Sequence, residues 1–112
     1  MDLINEERTR AGLAPLQLSS ATASVGRGWS DQMVTDGLAH NPDLGAELDR
    51  AGVAWQTIGE NVGYGSSVDQ IHAMFMGSET HRANILSADY TRVGVGVIVS
   101  GGRVWLTMDF VG

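Results

Sequence analysis

The sequence predicts an α+β domain: a small antiparallel sheet of about three strands, flanked by helices. Two observations lead there. Helix caps and apolar residues at helical spacing run through most of residues 2–86, whereas residues 93–110 alternate strictly around a Ser-Gly-Gly turn. No linker, internal repeat or low-complexity segment divides the 112 residues, so one domain spanning 1–112 is expected.

Residues 2–11 read as a helix, with Leu3, Ile4 and Ala11 near one face, Asn5, Glu6, Glu7 and Arg8 polar, and Gly12 as its stop. Leu13-Ala14-Pro15-Leu16 is a connection that Pro15 keeps out of helix. Ser19 or Ser20 caps a second, longer helix, in which Ala21, Val25, Trp29 and Met33 make an apolar stripe. Gly26 and Gly28 weaken it by about 1 kcal/mol each relative to alanine, and they leave room for a close neighbour. Asp36-Gly37 ends it. Asn41 with Pro42 is a cap and first-turn pair for a short helix over 42–51, closed by Gly52.

Trp55 to Tyr64 is apolar and glycine-rich, and reads as extended. Ser67-Val68-Asp69-Gln70 is a capping box that starts a helix over 68–77, with Ile71, Met74 and Phe75 inward. Ser78 caps a further short helix to about Leu86. Val93, Val95, Val97 and Val99, then Val104, Leu106, Met108 and Phe110 across Ser100-Gly101-Gly102, are the two arms of a β-hairpin.

Charge narrows the partners. Thirteen acidic residues against seven basic ones, all arginine, give a formal net charge of −6. A nucleic-acid partner is not expected, because phosphate binding needs clustered Lys and Arg. Docking on anionic lipid is disfavoured for the same reason. No stretch approaches the roughly 20 apolar residues of a membrane span. Met1 is followed at once by Asp2 and a polar helix pattern, which does not read as a signal peptide. A cytoplasmic protein and a domain whose leader has been removed both fit that start. Without cysteine, no disulfide, thiolate metal site or cysteine nucleophile can form.

Chemistry concentrates between residues 40 and 81. Glu60, in Ile58-Gly59-Glu60-Asn61-Val62, is a charge inside an apolar strand, and a buried carboxylate needs a cation, a metal or donated hydrogen bonds. Either it pairs with Arg82 or caps a neighbouring backbone, or it faces a cleft together with histidines. His40, in a loop, and His72, in mid-helix, each resemble ordinary surface histidines. His81 is more informative, because it stands at a helix start beside Ser78 and Glu79. His40 and His81 together can hold a divalent metal, zinc or another, with an acidic residue orienting one ring. Two ligands are too few for a closed zinc site, so such a metal would stay open to water or substrate. There is no H-E-x-x-H helix and no G-x-S-x-G elbow. Gly94-Val95-Gly96 lies within a hairpin strand, not between strand and helix, so it is no nucleotide loop.

These segments, in this order, resemble the CAP superfamily: cysteine-rich secretory proteins, antigen 5 and pathogenesis-related proteins. The nearest likeness is to its short bacterial, SCP-like extracellular branch. Leu3-Ile4-Asn5-Glu6-Glu7-Arg8 with Gly12-Leu13-Ala14-Pro15-Leu16 resembles the family's opening helix and turn. Gly59-Glu60-Asn61-Val62 resembles its G-E-N strand, and Ser78 to Leu86 its bacterial S-x-x-H-R-x-N-I-L run. Gly94-Val95-Gly96-Val97 and Met108-Asp109-Phe110 resemble its last two strands. The resemblance implies an α-β-α sandwich whose central cleft holds two His and two Glu, able in some members to bind a divalent ion. His40, Glu60 and His81 match that set; the fourth place falls on Ser78, with Glu79 one position along. Phe75 stands where the family usually has Trp. No segment of these 112 residues resembles the family's cysteine-rich extension.

Two classes of function follow. One is a secreted, monomeric module whose cleft binds a metal, a lipid-like molecule or a cell-wall ligand. The other is a metal-dependent hydrolase with Glu60 as general base. A third possibility is a structural domain whose polar cluster is vestigial. The resemblance alone carries the expectation of an extracellular location.

Overall fold

A computed structural model describes residues 2–112. It contains α1 (Asp2–Arg10), β1 (Gln17–Leu18), α2 (Ser20–Asp36), α3 (Leu44–Arg50), β2 (Ile58–Gly65), α4 (Val68–Met76), α5 (Glu79–Ile85), β3 (Arg92–Ser100) and β4 (Arg103–Val111). The four strands form one sheet in the order β1-β3-β4-β2. β2, β3 and β4 are antiparallel; the β3–β4 hairpin is the one the alternation predicts, and Gly101 and Gly102 both take positive φ in its turn. The expected three strands become four, and the sheet is mixed, because β1 runs parallel to β3. Two residues carry no readable period. β1 exists because the backbone N–H groups of Gln17 and Ser19 reach Thr91 O at 2.9 Å and Val93 O at 3.0 Å.

Ser19 and Ser67 cap α2 and α4 as expected, accepting from Thr22 N at 3.2 Å and Gln70 N at 3.0 Å. The helix expected from Pro42 instead begins at Leu44. Asn41 is drawn away from capping: its Oδ1 accepts from Asp43 N at 3.0 Å, and its Nδ2 donates to Glu47 Oε2 at 2.7 Å.

One face of the sheet is apolar. Val93, Leu106, Met108 and Phe110 pack there with Ile4 of α1, Ile71 and Phe75 of α4, Ile85 of α5 and Leu16. The polar residues of α1 attach this layer. Arg8 is buried, donating to Ala14 O, Ile85 O and Ser87 O, while Asn5 exchanges two bonds with the Leu16 backbone. The other face takes α2, but not on the stripe its spacing suggests. Thr22, Gly26, Ser30 and Met33 are buried, and Ala21, Val25 and Trp29 are only half so. The reason is Gly94 and Gly96 of β3. A Cβ on either would overlap the α2 backbone at Ala23 or Arg27, so the helix lies directly against the strand. A Cβ on Gly26 would meet Asp109 Oδ2 and Gly96 N at 3.4 Å, an ordinary contact, and Gly28 faces open space. Leu44, Leu48, Val53 and Val111 form a smaller core beside α2 and α3.

On α4 two expectations fail. Met74 is exposed rather than inward, and His72 is buried rather than on the surface. Docking on α1 and the sheet decides which helix face is covered, and spacing in α4 alone leaves that open. Burial lowers the His72 pKa, so the ring is neutral near pH 7. No helix among the described residues is long and apolar enough to cross a membrane.

Candidate functional site

β2 is an edge strand, and a cleft of about 950 Å³ opens along its free side. The loop after α2 forms one wall with Leu38 and His40; α4 and α5 form the other with Met74, Phe75, Ser78 and His81. The two histidines therefore come from opposite layers of the sandwich and line one cavity.

His40 is held by the strand. Its Nδ1 lies 3.0 Å from Glu60 Oε1, and the same oxygen accepts from the Asn41 backbone N–H at 2.8 Å. The Glu60 side chain is 5% exposed and that of His40 65%, so the acid sits behind the ring. Glu60 is not among the residues lining the cleft. Arg82, weighed above as its partner, is exposed and makes no ion pair among the described residues. The Glu60 carboxylate thus orients His40 and anchors the loop that carries it.

His81 is held from its own helix. Its Nδ1 is 2.8 Å from Ser78 Oγ, and its ring stacks on Phe75 with centroids 4.9 Å apart and 16° between planes. Ser78, expected to cap α5, makes no capping bond, because its hydroxyl turns to this ring. Of the two candidates for the fourth place, Ser78 lines the cleft and contacts His81, whereas Glu79 is exposed and outside the lining. Burial lowers the His81 pKa, and the nearby His40 lowers it further. An imidazole so held stays neutral near pH 7.

Three residues to which the sequence assigned no role complete the site. Asn61, fully buried, donates to His81 O at 3.0 Å and accepts from Asn84 Nδ2 at 2.9 Å, which ties α5 to β2. Asp109 stands opposite Glu60 in the β2–β4 ladder. With both acids ionised, Glu60 Oε2 and both Asp109 oxygens would be buried without a hydrogen-bond partner. Burial above all, and then Glu60, push the Asp109 pKa up to about 10, so Asp109 keeps its proton near pH 7. The signal for Asn61 and Asn84 was present, since both lie in the quoted G-E-N and H-R-x-N runs. Asp109 also lies in a quoted run, Met108-Asp109-Phe110, but its role depends on a cross-strand neighbour that the run does not name.

The donor set bears on a metal. Each histidine has its Nδ1 engaged, which leaves Nε2 as the free ring nitrogen. A carboxylate or hydroxyl behind a ring is the support that metal-ligating histidines use. Yet among the described residues no three His, Asp or Glu side chains are grouped so as to hold one ion. The side chains therefore do not fit a closed zinc centre. At most two imidazoles are on offer.

The family model described as "Cysteine-rich secretory protein family" matches residues 1–110. The Bacillus subtilis (strain 168) protein YkwD is 33% identical over all of this chain, which covers 45% of YkwD. An extracellular protein containing an SCP domain from Bacillus anthracis str. Ames has a solved structure that aligns at TM-score 0.85 and 32% identity, over 98% of this chain and 38% of that one. The chain thus spans less than half the length of these two relatives. An outer surface protein from Borrelia burgdorferi aligns at TM-score 0.88 over 98% of this chain and 86% of its own, and at 12% identity it shows the shared fold alone. With the α-β-α sandwich, the ordered motifs and the model match over nearly its whole length, the chain belongs to the cysteine-rich secretory protein (CAP) family.

Proposed function

We propose that this chain is an extracellular binding module that takes a small lipid-like or cell-wall ligand in the cleft between His40 and His81. One observation carries the reading: two histidines from opposite layers, each held at Nδ1, line a single open cavity. Rings fixed in this way lose little freedom when a ligand arrives. Leu38, Met74 and Phe75 supply apolar wall, while the neutral His81 ring can donate or accept a hydrogen bond. The extracellular setting is supported by the SCP-domain relative, itself an extracellular protein.

The test is histidine-ring NMR during addition of dodecanoate or of muramyl dipeptide. Both rings are expected to shift with one of these probes and to stay unmoved in a Met74→Arg variant. Rings that ignore both probes would overturn the reading.

A second reading, a divalent cation shared by His40 and His81 with ligand or water filling the shell, is favoured by the support behind each ring. Zinc titration calorimetry decides it: equal heat from wild type and a His40→Ala, His81→Ala double variant ends it. A hydrolase with Glu60 as general base gains nothing from a carboxylate that sits behind His40, outside the cleft lining.

A further inference from the structure

We propose that the cleft binds an extended peptide, which adds as a strand to the free edge of β2 and sets a carboxylate beside Arg103. The proposal rests on the cleft being a binding site, as above, and adds the chemical class of the ligand.

The strand ladder carries the argument. Thr57 and Gly112 exchange both backbone bonds, Thr57 N to Gly112 O at 3.0 Å and Gly112 N to Thr57 O at 2.9 Å. Antiparallel pairs alternate between bonded and non-bonded, so the register that follows bonds Gly59, Asn61, Gly63 and Gly65 to β4. Ile58, Glu60, Val62 and Tyr64 then aim their N–H and C=O groups away from β4, at the free edge. Two side chains close that edge at its ends. Asn84 Nδ2 donates to Glu60 O at 3.3 Å, and Ser66 N donates to Gln70 Oε1 at 2.7 Å.

Between those closures lie Val62 and Tyr64. Their outward groups have no side-chain or loop partner among the described residues, and both residues line the cleft. Val62 is buried, and backbone groups in a buried stretch call for partners, while Tyr64 is exposed beside it. Here donors and acceptors repeat at every second residue, the spacing that another extended backbone matches. A hydrocarbon chain offers nothing at that repeat. The opening has room for such a ligand, since about 950 Å³ lies in the range of small-ligand sites. Side chains of an added strand would alternate between the His40 wall and the Met74 wall, because the pleat continues across the edge.

Charge selects the end group. The chain carries −6 overall, yet no Asp or Glu lines the cleft. The charged residue at its rim is Arg103, whose guanidinium lies 5.4 Å from the centroid of the Tyr64 ring and has no ion-pair partner among the described residues. Tyr64 is in turn stacked on Trp105 at 5.0 Å, so the cation is supported beside the last free backbone groups. A peptide acid, side chain or terminus, fits there.

The experiment is an affinity selection of random dodecapeptides on the whole domain, followed by synthesis of the selected peptides and amide hydrogen exchange. Bound peptide is expected to slow exchange at Val62 and Tyr64 by about tenfold or more. N-methylation at alternate peptide amides is expected to weaken binding about tenfold in one register and not in the other. Arg103→Gln is expected to weaken acidic peptides by about tenfold and to leave amidated, acid-free versions unchanged. Recovery of no binder, or N-methylation without effect in both registers, overturns the proposal. So does protection of these amides that grows with protein concentration alone, which would indicate pairing of two copies. The two readings fail separately. A peptide that shifts the His40 and His81 rings but leaves Val62 and Tyr64 exchange unchanged keeps the binding cleft and removes strand addition. Slowed exchange with unmoved rings does the reverse.

Discussion

The two faces of the sheet are buried by opposite means. On one, Phe110, Met108, Leu106 and Val93 interlock with the side chains of α1, α4 and α5. On the other, Gly94 and Gly96 remove side chains so that the α2 backbone rests on the strands. The space left there is filled by short polar groups: Ser30 Oγ lies 2.7 Å from Thr107 Oγ1 and donates to Gly96 O at 3.0 Å. The same face carries the Glu60–Asp109 pair and, through it, His40. The apolar face derives its stability from area and fit. The polar face holds a charge at a set position, at the expense of groups that must all find partners. The difference accounts for where the site lies: its anchored acid belongs to the polar face, while the apolar face supplies Phe75 and the support for His81.

The comparison can be broken most severely at Gly96. Gly96→Val places a side chain into the Arg27 backbone and is expected to cost more than about 4 kcal/mol, enough to unfold a domain of ordinary stability. A thermal midpoint within a few degrees of wild type would show that α2 is not seated on β3. Next come the two fillings. Phe110→Ala on the apolar face is expected to cost about 3–5 kcal/mol in urea unfolding. Ser30→Ala on the polar face removes both of its hydrogen bonds and is expected to cost about 1–3 kcal/mol. Equal losses would erase the distinction between fit and partner satisfaction.

The last effect is the most specific, because it is read as a dependence on pH. Asp109 has its pKa raised from 3.8 to about 10, so the folded state binds a proton that the unfolded chain releases above about pH 4. Its contribution to stability is therefore complete below about pH 4 and is lost as pH rises towards about 10. Asp109→Asn keeps a neutral donor towards Glu60 and removes that dependence. The variant is expected to match wild type near pH 4 and to exceed it increasingly towards pH 9, as followed by urea midpoints. A parallel pH profile for the two proteins would show that Asp109 does not hold the proton.

Much of this was legible in the chain. Ser19 and Ser67 declare their helices because a cap needs only local backbone N–H groups. The hairpin declares itself because alternation and a Gly-Gly turn are local too. His40, Glu60, Ser78 and His81 stood out through the order of the surrounding motifs, and Ser78 against Glu79 remained open. That choice turns on which way a hydroxyl points. His72 misled for a related reason. A polar residue in an amphipathic helix is buried or exposed according to what docks on it, and periodicity in one helix does not name its neighbour.

By itself, then, the sequence determined the class of fold, the caps, the hairpin and the likeness to a family whose motifs keep their order here without any cysteine. These depend on interactions a few residues apart or on patterns of fixed period. Only the tertiary structure decided that Glu60 stands behind His40, that Asp109 keeps its proton beside it, and that Val62 and Tyr64 offer an open edge to the cleft. Each of those depends on register and layer contacts between distant segments, which set distances that spacing along the chain does not encode.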